Sequence, residues 1–315
     1  MHKILMARPM PRQVAQRALQ DFEAVIADHV LSPDEAIAAL NASGATGLVL
    51  GSNLKLDAAA VARLPAGLRV VATTSVGFDH LDVEALRARG IVVTYCPTVV
   101  TDCTADLAFM LLLCAARRAH EYSTLVRAGW GRKLGFDELL GVRVSGKTLG
   151  IVGMGRVGRA VAQRARGFDM QVIYHDRQRL AAEAELGAVF HETLDAMLPH
   201  CDFLSLHAPS DGSPLMNART LALLPDGAVL VNAGRGTLVD EDALVASLTN
   251  GKLAAAGLDT YLNEPHIDRR LTRLDNVFLT PHMGTATRET RAALGLRALD
   301  NVAAVLDGQP ALDPL

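Results

Sequence analysis

Three glycines at short spacing, Gly153, Gly155 and Gly158, stand where an apolar run gives way to residues with helical periodicity. In a turn of this kind the first glycine permits a tight bend, and the second lets the backbone approach a pyrophosphate. The third allows the helix to pack close to the strand. The free N–H groups at the start of the helix can then bind phosphate oxygens. The spacing predicts a dinucleotide-binding turn, and the alternative is an ordinary connection between a strand and a helix.

A carboxylate at the end of the next predicted strand strengthens this interpretation. Asp176 lies 18 residues after Gly158, close to the roughly 20 residues at which such turns place an acid for the ribose hydroxyls. The same charge repels a 2′-phosphate, which favours NAD over NADP. Arg177 and Arg179 follow at once and would weaken that preference if they faced the phosphate, but we interpret them as a solvated surface pair.

Four further predicted strands end in polar or ionisable side chains beside small residues. Because ligands bind at the carboxyl ends of strands in an open parallel sheet, these ends are expected to form one site. Each side chain alone has a structural explanation: a surface ion pair for Arg235, a loop carboxylate for Glu264 and a capped core histidine for His282. Their position on one edge of one sheet, next to a dinucleotide, favours chemistry instead. The four strand ends are His207-Ala208-Pro209, Asn232-Ala233-Gly234-Arg235-Gly236, Asp259 and Pro281-His282-Met283-Gly284.

The residue types predict transfer of a hydride to a carbonyl that lies beside a carboxylate. The alkoxide that forms needs a proton, and His282 is a suitable acid at neutral pH. Glu264 would hydrogen-bond the imidazole, keep it protonated and orient the ring. Arg235 offers a planar fork that fits the substrate carboxylate and polarises the adjacent carbonyl oxygen. Asp259 is expected to accept a hydrogen bond from the nicotinamide carboxamide.

A second wall of the site is expected from the first hundred residues. The segment Ser75–Asp79 follows a predicted strand, and the N–H groups of Val76 and Gly77 would bind the substrate carboxylate as an anion nest. The alternative is a plain strand–helix turn. Leu54, Val76 and Trp130 are the candidate residues for the wall around the tail of the substrate.

Other cofactor contacts are expected around these turns and strand ends. The residues concerned are Thr104, Arg156, Val157, His207, Ala208, Pro209, Ala233, Gly234 and Gly284. No metal site is expected, because the four cysteines form no CxxC pair and no histidine lies at zinc-finger spacing. We interpret the cysteines as reduced thiols in or near the core.

Short apolar strands alternate with Ala-rich helices along the chain, and this alternation predicts parallel sheets covered on both faces. The fold class is therefore α/β, with two doubly wound parallel-sheet domains. The predicted strands of the first series are Lys3–Ala7, Ala24–Ile26, Gly47–Gly51, Val70–Thr74 and Val92–Tyr95. Those of the second series are Thr148–Val152, Gln171–His175, Ala188–Phe190, Phe203–His207, Ala228–Asn232, Ala254–Leu258 and Val277–Thr280.

Between the two series the sequence predicts a long helix and then an arm. The helix, Cys103–Ala119, is apolar on all sides at its centre and should be buried. The segment Ala119–Val144 has weaker periodicity, and we interpret it as an extended arm that contributes a dimer contact and one wall of the active site. A surface loop is the alternative. One more helix is predicted at Arg288–Leu306.

Composition excludes several classes of protein. A chain of 315 residues is long enough for two domains, and its net charge of −3 offers no basic excess for nucleic acid. No apolar run approaches the roughly 18 residues that span a bilayer. The first residues lack the apolar segment and cleavage site of a signal peptide, so we expect a cytoplasmic protein.

Taken together, these motifs resemble the D-isomer-specific 2-hydroxyacid dehydrogenases over nearly the whole chain. The matching stretches are Thr74–Asp79, Gly153–Gly158 with Asp176, Val231–Glu241, Gly257–Asp259 through Glu264-Pro265, and Thr280–Gly284. The resemblance implies that the family's catalytic Arg–Glu–His set falls on Arg235, Glu264 and His282. It also implies a homodimer built through the arm, and a cleft that closes on the substrate.

The resemblance further implies discontinuous domains, because the last helix returns to the first domain. We expect a flavodoxin-like substrate domain at residues 1–99 and 288–315, and a Rossmann NAD domain at residues 100–287. The dimerisation arm is expected near residues 103–145.

Within the family the segment Asn232–Gly236 looks most like the branch of glyoxylate/hydroxypyruvate reductases and 2-ketogluconate reductases. Some members of that branch use NADPH and lack an acid at the position of Asp176, so NADP stays open beside NAD. The expected activity is NAD(P)H-dependent reduction of a small 2-oxo acid to the D-2-hydroxy acid. The alternatives are an NAD(H)-binding interaction protein similar to the co-repressors of this fold, and an oxidoreductase of the phosphite dehydrogenase type.

Overall fold

The computed structural model describes residues 1–315, and the chain forms two compact units. The first unit comprises Met1–Val100 together with Thr285–Leu315, and the second comprises Thr101–Gly284. The chain thus leaves the first unit once and returns to it with its last helix. No helix in either unit has both the length and the apolar character needed to cross a membrane.

The first unit is built on a five-stranded sheet in the order β2-β1-β3-β4-β5, with every neighbouring pair parallel. This is the strand order of flavodoxin-like folds. Its strands are β1 (Lys3–Met6), β2 (Glu23–Ile26), β3 (Gly47–Leu50), β4 (Val70–Thr73) and β5 (Val92–Thr94). Its helices are α1 (Arg12–Asp21), α2 (Pro33–Ser43), α3 (Ala58–Ala62), α4 (Val83–Ala88) and α11 (Arg288–Leu306).

The two ends of α2 show how the local sequence determines where a helix begins and ends. The Ser32 side chain accepts the N–H of Glu35, and the Glu35 carboxylate accepts the N–H of Ser32, which closes a capping box. Pro33 occupies the first turn, where its missing N–H has no intrahelical partner to lose. Gly44 ends the helix in the left-handed conformation, with a φ of +66°.

The second unit contains a seven-stranded parallel sheet in the order β12-β11-β10-β9-β6-β7-β8. This is the doubly wound dinucleotide-binding order with one strand added at the edge. Its strands are β6 (Thr148–Val152), β7 (Gln171–His175), β8 (Val189–Phe190), β9 (Phe203–Leu206), β10 (Ala228–Asn232), β11 (Leu253–Leu258) and β12 (Val277–Leu279). Its helices are α5 (Thr101–Ala116), α6 (Ala119–Arg127), α7 (Arg156–Ala165), α8 (Leu194–Met197), α9 (Ala218–Leu223) and α10 (Glu241–Thr249).

The predicted fold class is confirmed in both units. Every predicted strand is present, and no strand end differs from the prediction by more than one residue. The apolar centre of α5 packs on one face of the second sheet, with Leu111 and Leu112 fully buried among core residues. A separate apolar cluster covers the other face of the same sheet, as expected for a sheet wound on both sides.

The prediction was wrong at the junction after α5. The expected single helix to Ala119 ends at Ala116, and the expected extended arm begins with the helix α6. Arg118 separates the two helices because it adopts a left-handed backbone with a φ of +51°, which cannot continue a right-handed helix. The Tyr122 hydroxyl then donates to the carbonyl of Leu139 at 2.7 Å and ties α6 to the irregular segment that follows.

Close packing of α5 on the sheet depends on Gly257 in β11. A Cβ atom at this position would lie 2.8 Å from the carbonyl oxygen of Leu111 and 2.9 Å from its Cβ, which is too near for the backbone of α5 to stay in place. Gly257 has no left-handed φ that would otherwise explain a glycine. The absence of a side chain is therefore what permits the helix to approach.

We expect Gly257→Ala to lower the free energy of unfolding by about 1–3 kcal/mol, because the helix must move away from the sheet. Urea unfolding followed by circular dichroism would measure the change. Gly167→Ala is the matched control, since a Cβ there meets nothing within 4 Å and should change stability by less than about 1 kcal/mol. Equal midpoints for wild type and Gly257→Ala would contradict the packing argument.

Candidate active site

The glycine turn after β6 has the close approaches that its spacing predicts. Gly153 has a φ of +89°, and a Cβ on it would lie 2.5 Å from the main-chain nitrogen of Ala208. A Cβ on Gly158 would lie 2.2 Å from the carbonyl oxygen of Gly153. A Cβ on Gly155 would meet nothing within 4 Å, so this side of the turn is open. Two glycines are thus required by the fold, and the third leaves space for a ligand.

The start of α7 is suited to an anion. Gly155 is the N-cap and supplies no side-chain acceptor to the first turn. Arg156 is exposed and Val157 is partly buried at the first two helical positions. Because the first N–H groups of a helix have no intrahelical acceptor, they are available to phosphate oxygens. The described residues therefore fit a dinucleotide pyrophosphate at this turn.

Asp176 directly follows β7, and its carboxylate also holds the glycine turn in place. Its Oδ2 accepts the N–H of Met154 at 2.8 Å, and its Oδ1 accepts the N–H of Arg177 at 2.7 Å. Arg179 donates from Nε to Oε1 of Glu185 at 2.8 Å, and this carboxylate also accepts the Tyr174 hydroxyl. Arg179 therefore belongs to a structural network. The Arg177 side chain is exposed.

His207 ends β9 beside the glycine turn. Its Nε2 lies 2.8 Å from Oγ of Ser205, and burial lowers the pKa of His207 to about 4. The imidazole is therefore neutral at neutral pH. The next residue, Ala208, contacts Gly153, and its carbonyl would lie 3.5 Å from a Cβ placed on Gly234. The predicted cofactor residues of these three segments are thus close together, and Pro209 continues the same loop.

The loop that carries Arg235 is held by two residues to which the sequence analysis gave no separate role. Asn232 is buried, and its Nδ2 donates to the Arg235 carbonyl at 2.8 Å while its Oδ1 accepts the N–H of Gly234 at 3.0 Å. A Cβ on Gly236 would lie 2.0 Å from the carbonyl carbon of Tyr261, so the loop packs directly on that backbone. The sequence signal was the run of Asn and Gly around Arg235.

Glu264 and His282 form the predicted pair. His282 Nδ1 lies 2.6 Å from Oε2 of Glu264, and the other carboxylate oxygen accepts the N–H of Tyr261 at 2.9 Å. Half of the His282 side chain is exposed. Because Nδ1 is engaged by the carboxylate, Nε2 is the ring nitrogen that remains for a ligand. The pair therefore has the orientation that a proton donor requires.

Charge at this site favours a protonated imidazole. The hydrogen bond to Glu264 raises the pKa of His282, and the charge of Asp259 raises it further, whereas burial and the charge of Arg235 lower it. Burial alone would raise the pKa of Glu264, but hydrogen bonds from His282 and the Tyr261 N–H lower it, with a further contribution from the charge of Arg235. Arg235 is thus close enough to act electrostatically on both members of the pair.

The backbone at His282 is strained and is held by Asp259. His282 has a φ of +54°, which costs a side-chain-bearing residue about 1–3 kcal/mol. Asp259 is 1% exposed, and its carboxylate accepts the Thr280 hydroxyl at 2.6 Å, the Met283 N–H at 2.7 Å and the Gly284 N–H at 2.9 Å. Burial raises the pKa of Asp259 against these hydrogen bonds. The expected bond to a carboxamide stays a prediction.

Tyr261 is a further supporting residue that the sequence analysis missed. Its buried hydroxyl donates to the carbonyls of Leu258 and Thr280, at 3.1 and 2.8 Å, and so joins the ends of β11 and β12. Burial raises the pKa of this hydroxyl, which therefore remains protonated. The only signal in the sequence was an aromatic residue between the strand end and Glu264.

Thr104 lies beside Gly284 in the same unit. A Cβ on Gly284 would be 3.3 Å from Oδ2 of Asp259 and 3.5 Å from Cγ2 of Thr104. Ala233, the remaining predicted cofactor residue, is half-buried after β10. These positions place the predicted cofactor residues of the second unit on the carboxyl edge of its sheet.

The predicted substrate residues of the first unit lie at the carboxyl ends of β3 and β4. Ser75 Oγ donates to the carbonyl of Gly77 at 2.7 Å and closes the turn, while the N–H groups of Val76 and Gly77 donate no hydrogen bond within the chain. These free donors fit an anion. Leu54 is buried in the core of this unit, so it offers a ligand little surface.

Comparison with known proteins agrees with this geometry. A sequence model described as the NAD-binding domain of D-isomer-specific 2-hydroxyacid dehydrogenases matches residues 109–284. The chain is 42% identical over 314 residues to glyoxylate/hydroxypyruvate reductase B of Yersinia pestis (strain Pestoides F), covering 97% of this chain and 94% of that protein. It is 38% identical over 316 residues to glycerate dehydrogenase of Hyphomicrobium methylovorum, covering 97% and 96%.

A solved structure is similar over the same extent. The NADPH-dependent glyoxylate/hydroxypyruvate reductase of Sinorhizobium meliloti, in complex with NADP and malonate, matches with a TM-score of 0.87 and 34% identity. The match covers 100% of this chain and 96% of that one. The chain therefore belongs to the D-isomer-specific 2-hydroxyacid dehydrogenase family, and its second unit carries the NAD-binding domain of that family.

Proposed function

We propose that this protein reduces a small 2-oxo acid of the glyoxylate or hydroxypyruvate type to the D-2-hydroxy acid, with NAD(P)H as the reductant. The observation that carries the proposal is the 2.6 Å contact between His282 and Glu264, with Arg235 close enough to shift the pKa of both. When bound, the nicotinamide supplies the hydride that reduces the carbonyl. The residues of the chain supply orientation, charge and the proton.

In this proposal His282 is the proton donor. Its Nδ1 is held by Glu264, so Nε2 donates the proton to the carbonyl oxygen as negative charge develops there. Glu264 stays ionised, because its own pKa is lowered, and it stabilises the imidazolium before the proton leaves. Hydrogen bonds of Asp259 and Tyr261 hold the segments after β11 and β12 in fixed positions relative to each other. The imidazole therefore does not have to be reoriented in each turnover.

Arg235 is proposed to bind the substrate carboxylate. In the second unit, Arg235 offers a planar fork whose loop is fixed by Asn232 and Gly236. In the first unit, taken by itself, the free N–H groups of Val76 and Gly77 at the end of β4 are proposed to bind an anion. In this proposal Arg235 also polarises the carbonyl that accepts the hydride, because its positive charge would stabilise the developing alkoxide.

The named relatives support this class of substrate. The Yersinia protein is named for glyoxylate and hydroxypyruvate, and the Hyphomicrobium protein is named for glycerate, the 2-hydroxy acid that corresponds to hydroxypyruvate. The proposal is tested by a panel of 2-oxo acids assayed for NADH and NADPH oxidation. Cofactor binding without turnover of any acid would favour the alternative of an NAD(H)-binding interaction protein.

The proposed acid–carboxylate pair has a pH signature. We expect kcat/KM for reduction to fall as the pH rises through the pKa of His282, because the ring must carry its proton. Since Glu264 raises the pKa of His282, Glu264→Gln should move the fall in kcat/KM to lower pH.

The variant His282→Ala should lower kcat by about 10²–10⁴-fold and leave NADH binding nearly unchanged. Stopped-flow rates across pH would measure both effects.

An unchanged pH profile in Glu264→Gln would contradict the role of the carboxylate. Asn263→Ala is a matched control, because this exposed neighbour lies in the same loop and makes no hydrogen bond to the pair. Its profile should coincide with that of the wild type.

We propose a preference for NADH over NADPH, based on Asp176. The carboxylate lies at the end of β7 and would repel a 2′-phosphate bound at the turn. We expect Asp176→Asn to raise the ratio of kcat/KM for NADPH over NADH by about tenfold, the effect of removing roughly 1–2 kcal/mol of repulsion. The substitution keeps an oxygen for the Met154 N–H. Steady-state kinetics with both cofactors would measure the ratio.

Glu183→Gln is the control for the cofactor experiment, because it removes one exposed carboxylate from the same unit without touching the turn. It should leave the ratio unchanged. A wild-type protein that already prefers NADPH would contradict the argument from Asp176.

We also propose a homodimer that forms through the arm, in a cytoplasmic protein. Four apolar side chains of the arm are largely exposed: Val126, Trp130, Phe136 and Leu140, with Phe136 fully so at 103%. A concentration of exposed apolar side chains on one segment is typical of a protein interface. All four cysteines are free thiols, which suits a reducing compartment. The further role of the arm as a wall of the active site is part of the same proposal.

We expect the wild type to elute at twice its 33.5 kDa mass, and Phe136→Asp to raise the dimer dissociation constant about 100-fold or more. A charge in the centre of an apolar contact would have to be desolvated without a partner. Sedimentation velocity across a range of concentrations would measure it. Leu19→Asp, a similar change at an exposed residue of α1, is the control. An unchanged dimer in Phe136→Asp would place the interface elsewhere.

A further inference from the structure

Arg179 lies in the loop that follows the carboxyl end of β7. The loop begins with Asp176, whose carboxylate is bound to the glycine turn through the N–H of Met154. Arg179 is three residues further along, so its Cα atom is at most about 11 Å from that of Asp176. In dinucleotide-binding folds an arginine near this position accommodates the 2′-phosphate of NADP. The loop therefore contains a cation for the phosphate close to the carboxylate that would repel it.

The side chain of Arg179 is engaged by a carboxylate of its own unit. Its Nε donates to Oε1 of Glu185 at 2.8 Å, and its Nη2 donates to Oε2 at 3.2 Å. Two parallel hydrogen bonds of this kind fix the direction of a guanidinium as well as pairing its charge. Arg179 must therefore leave Glu185 before it can bind a phosphate as an unpaired cation.

Glu185 is held in place from the core. Its Oε1 also accepts the hydroxyl of Tyr174 at 2.9 Å. Tyr174 is fully buried in β7, and its hydroxyl oxygen accepts the N–H of Leu180 at 3.0 Å. One hydroxyl thus links the strand, the loop residue next to Arg179 and the carboxylate. The acceptor of Arg179 is therefore anchored to the sheet.

The two partners differ in exposure, and this difference decides which of them depends on the contact. The Arg179 side chain is 64% exposed, so water satisfies its donors when it leaves. The Glu185 side chain is 9% exposed, and its Oε2 accepts from Arg179 alone. Hydrogen bonds from Arg179 and Tyr174 lower the pKa of Glu185, so the carboxylate stays ionised at neutral pH. Departure of Arg179 would leave a nearly buried charge with one donor, which is unfavourable.

We propose that Glu185 is a specificity-determining residue, which withholds Arg179 from the 2′-phosphate of NADPH and so adds to the selection for NADH. The inference rests on the proposed function, in which Asp176 faces the ribose of the adenosine. Asp176 repels the phosphate, and Glu185 removes the nearby cation that would offset this repulsion. The preference for NADH therefore depends on a carboxylate that does not itself contact the cofactor.

The test uses two nucleotides that differ only by the 2′-phosphate, adenosine 2′,5′-bisphosphate and adenosine 5′-monophosphate. Their dissociation constants, measured by isothermal titration calorimetry on the whole protein, do not depend on turnover. We expect Glu185→Gln to tighten binding of the bisphosphate relative to the monophosphate by about 3- to 10-fold, the effect of one charge-assisted hydrogen bond gained at a partly exposed position. The ratio of kcat/KM for NADPH over NADH should rise by a similar factor.

A second substitution shows whether the gain comes from Arg179. In the Glu185→Gln background, Arg179→Gln should return the ratio of dissociation constants to the wild-type value, and this double variant has the wild-type net charge. Glu183→Gln is the matched control, because it removes an exposed carboxylate of the same segment that accepts no hydrogen bond from Arg179. It should leave the ratio unchanged.

Glu185→Asp keeps the negative charge but shortens the side chain by one methylene. It should also release Arg179 and raise the affinity for the bisphosphate relative to the monophosphate, and it tests the contact should Glu185→Gln not fold. Melting temperatures would show which variants retain the fold.

The outcomes separate the inference from the proposed function. A gain that persists after Arg179→Gln, an equal gain in Glu183→Gln, or no gain in the folded variants of Glu185 would overturn the inference. If neither nucleotide binds the wild type, the proposed cofactor site has failed and the inference with it. The expected shift in binding without turnover of any 2-oxo acid would support the inference and contradict the proposed reduction.

Discussion

The buried carboxylate of Asp259 organises the segment on which the proposed chemistry depends. It accepts three hydrogen bonds, from the Thr280 hydroxyl and the N–H groups of Met283 and Gly284, and these donors lie on both sides of His282. A buried carboxylate is stable only when its oxygens are hydrogen-bonded, so the segment and the acid stabilise each other. Without Asp259 the three donors of the segment would lose their acceptor, and without the segment the buried carboxylate would lose its donors.

The same principle extends along the edge of the second sheet. Asn232 fixes the loop of Arg235, Asp176 fixes the glycine turn, and Tyr261 joins the ends of β11 and β12. In each case a side chain at a strand end satisfies main-chain groups of the adjoining loop. A parallel sheet leaves such groups unpaired where its strands stop, and the residues that satisfy them also set the positions of the side chains that these loops carry.

Sequence was a good guide wherever a local pattern has a single physical cause. Strand limits followed from short apolar runs, and Gly153 and Gly158 were recognised because close approach of the backbone allows no other residue there. The break at Arg118 was missed, since a left-handed arginine leaves no mark in the periodicity of the helix. The hydrogen bonds of Asp259 and Tyr261 were missed because their partners are distant in sequence or belong to the main chain. Hydrogen bonds between residues that are distant in sequence form only in the assembled fold.

The left-handed backbone of His282 has to be stabilised by the segments around it. Glycine would adopt a φ of +54° without strain, and asparagine with less strain than histidine. The fold therefore retains a residue that adopts this backbone conformation less readily than glycine, and the surrounding hydrogen bonds hold it there. Selection for thermal stability alone would favour glycine at this position, so under the proposed function the histidine is a trade-off between the stability of the loop and proton donation.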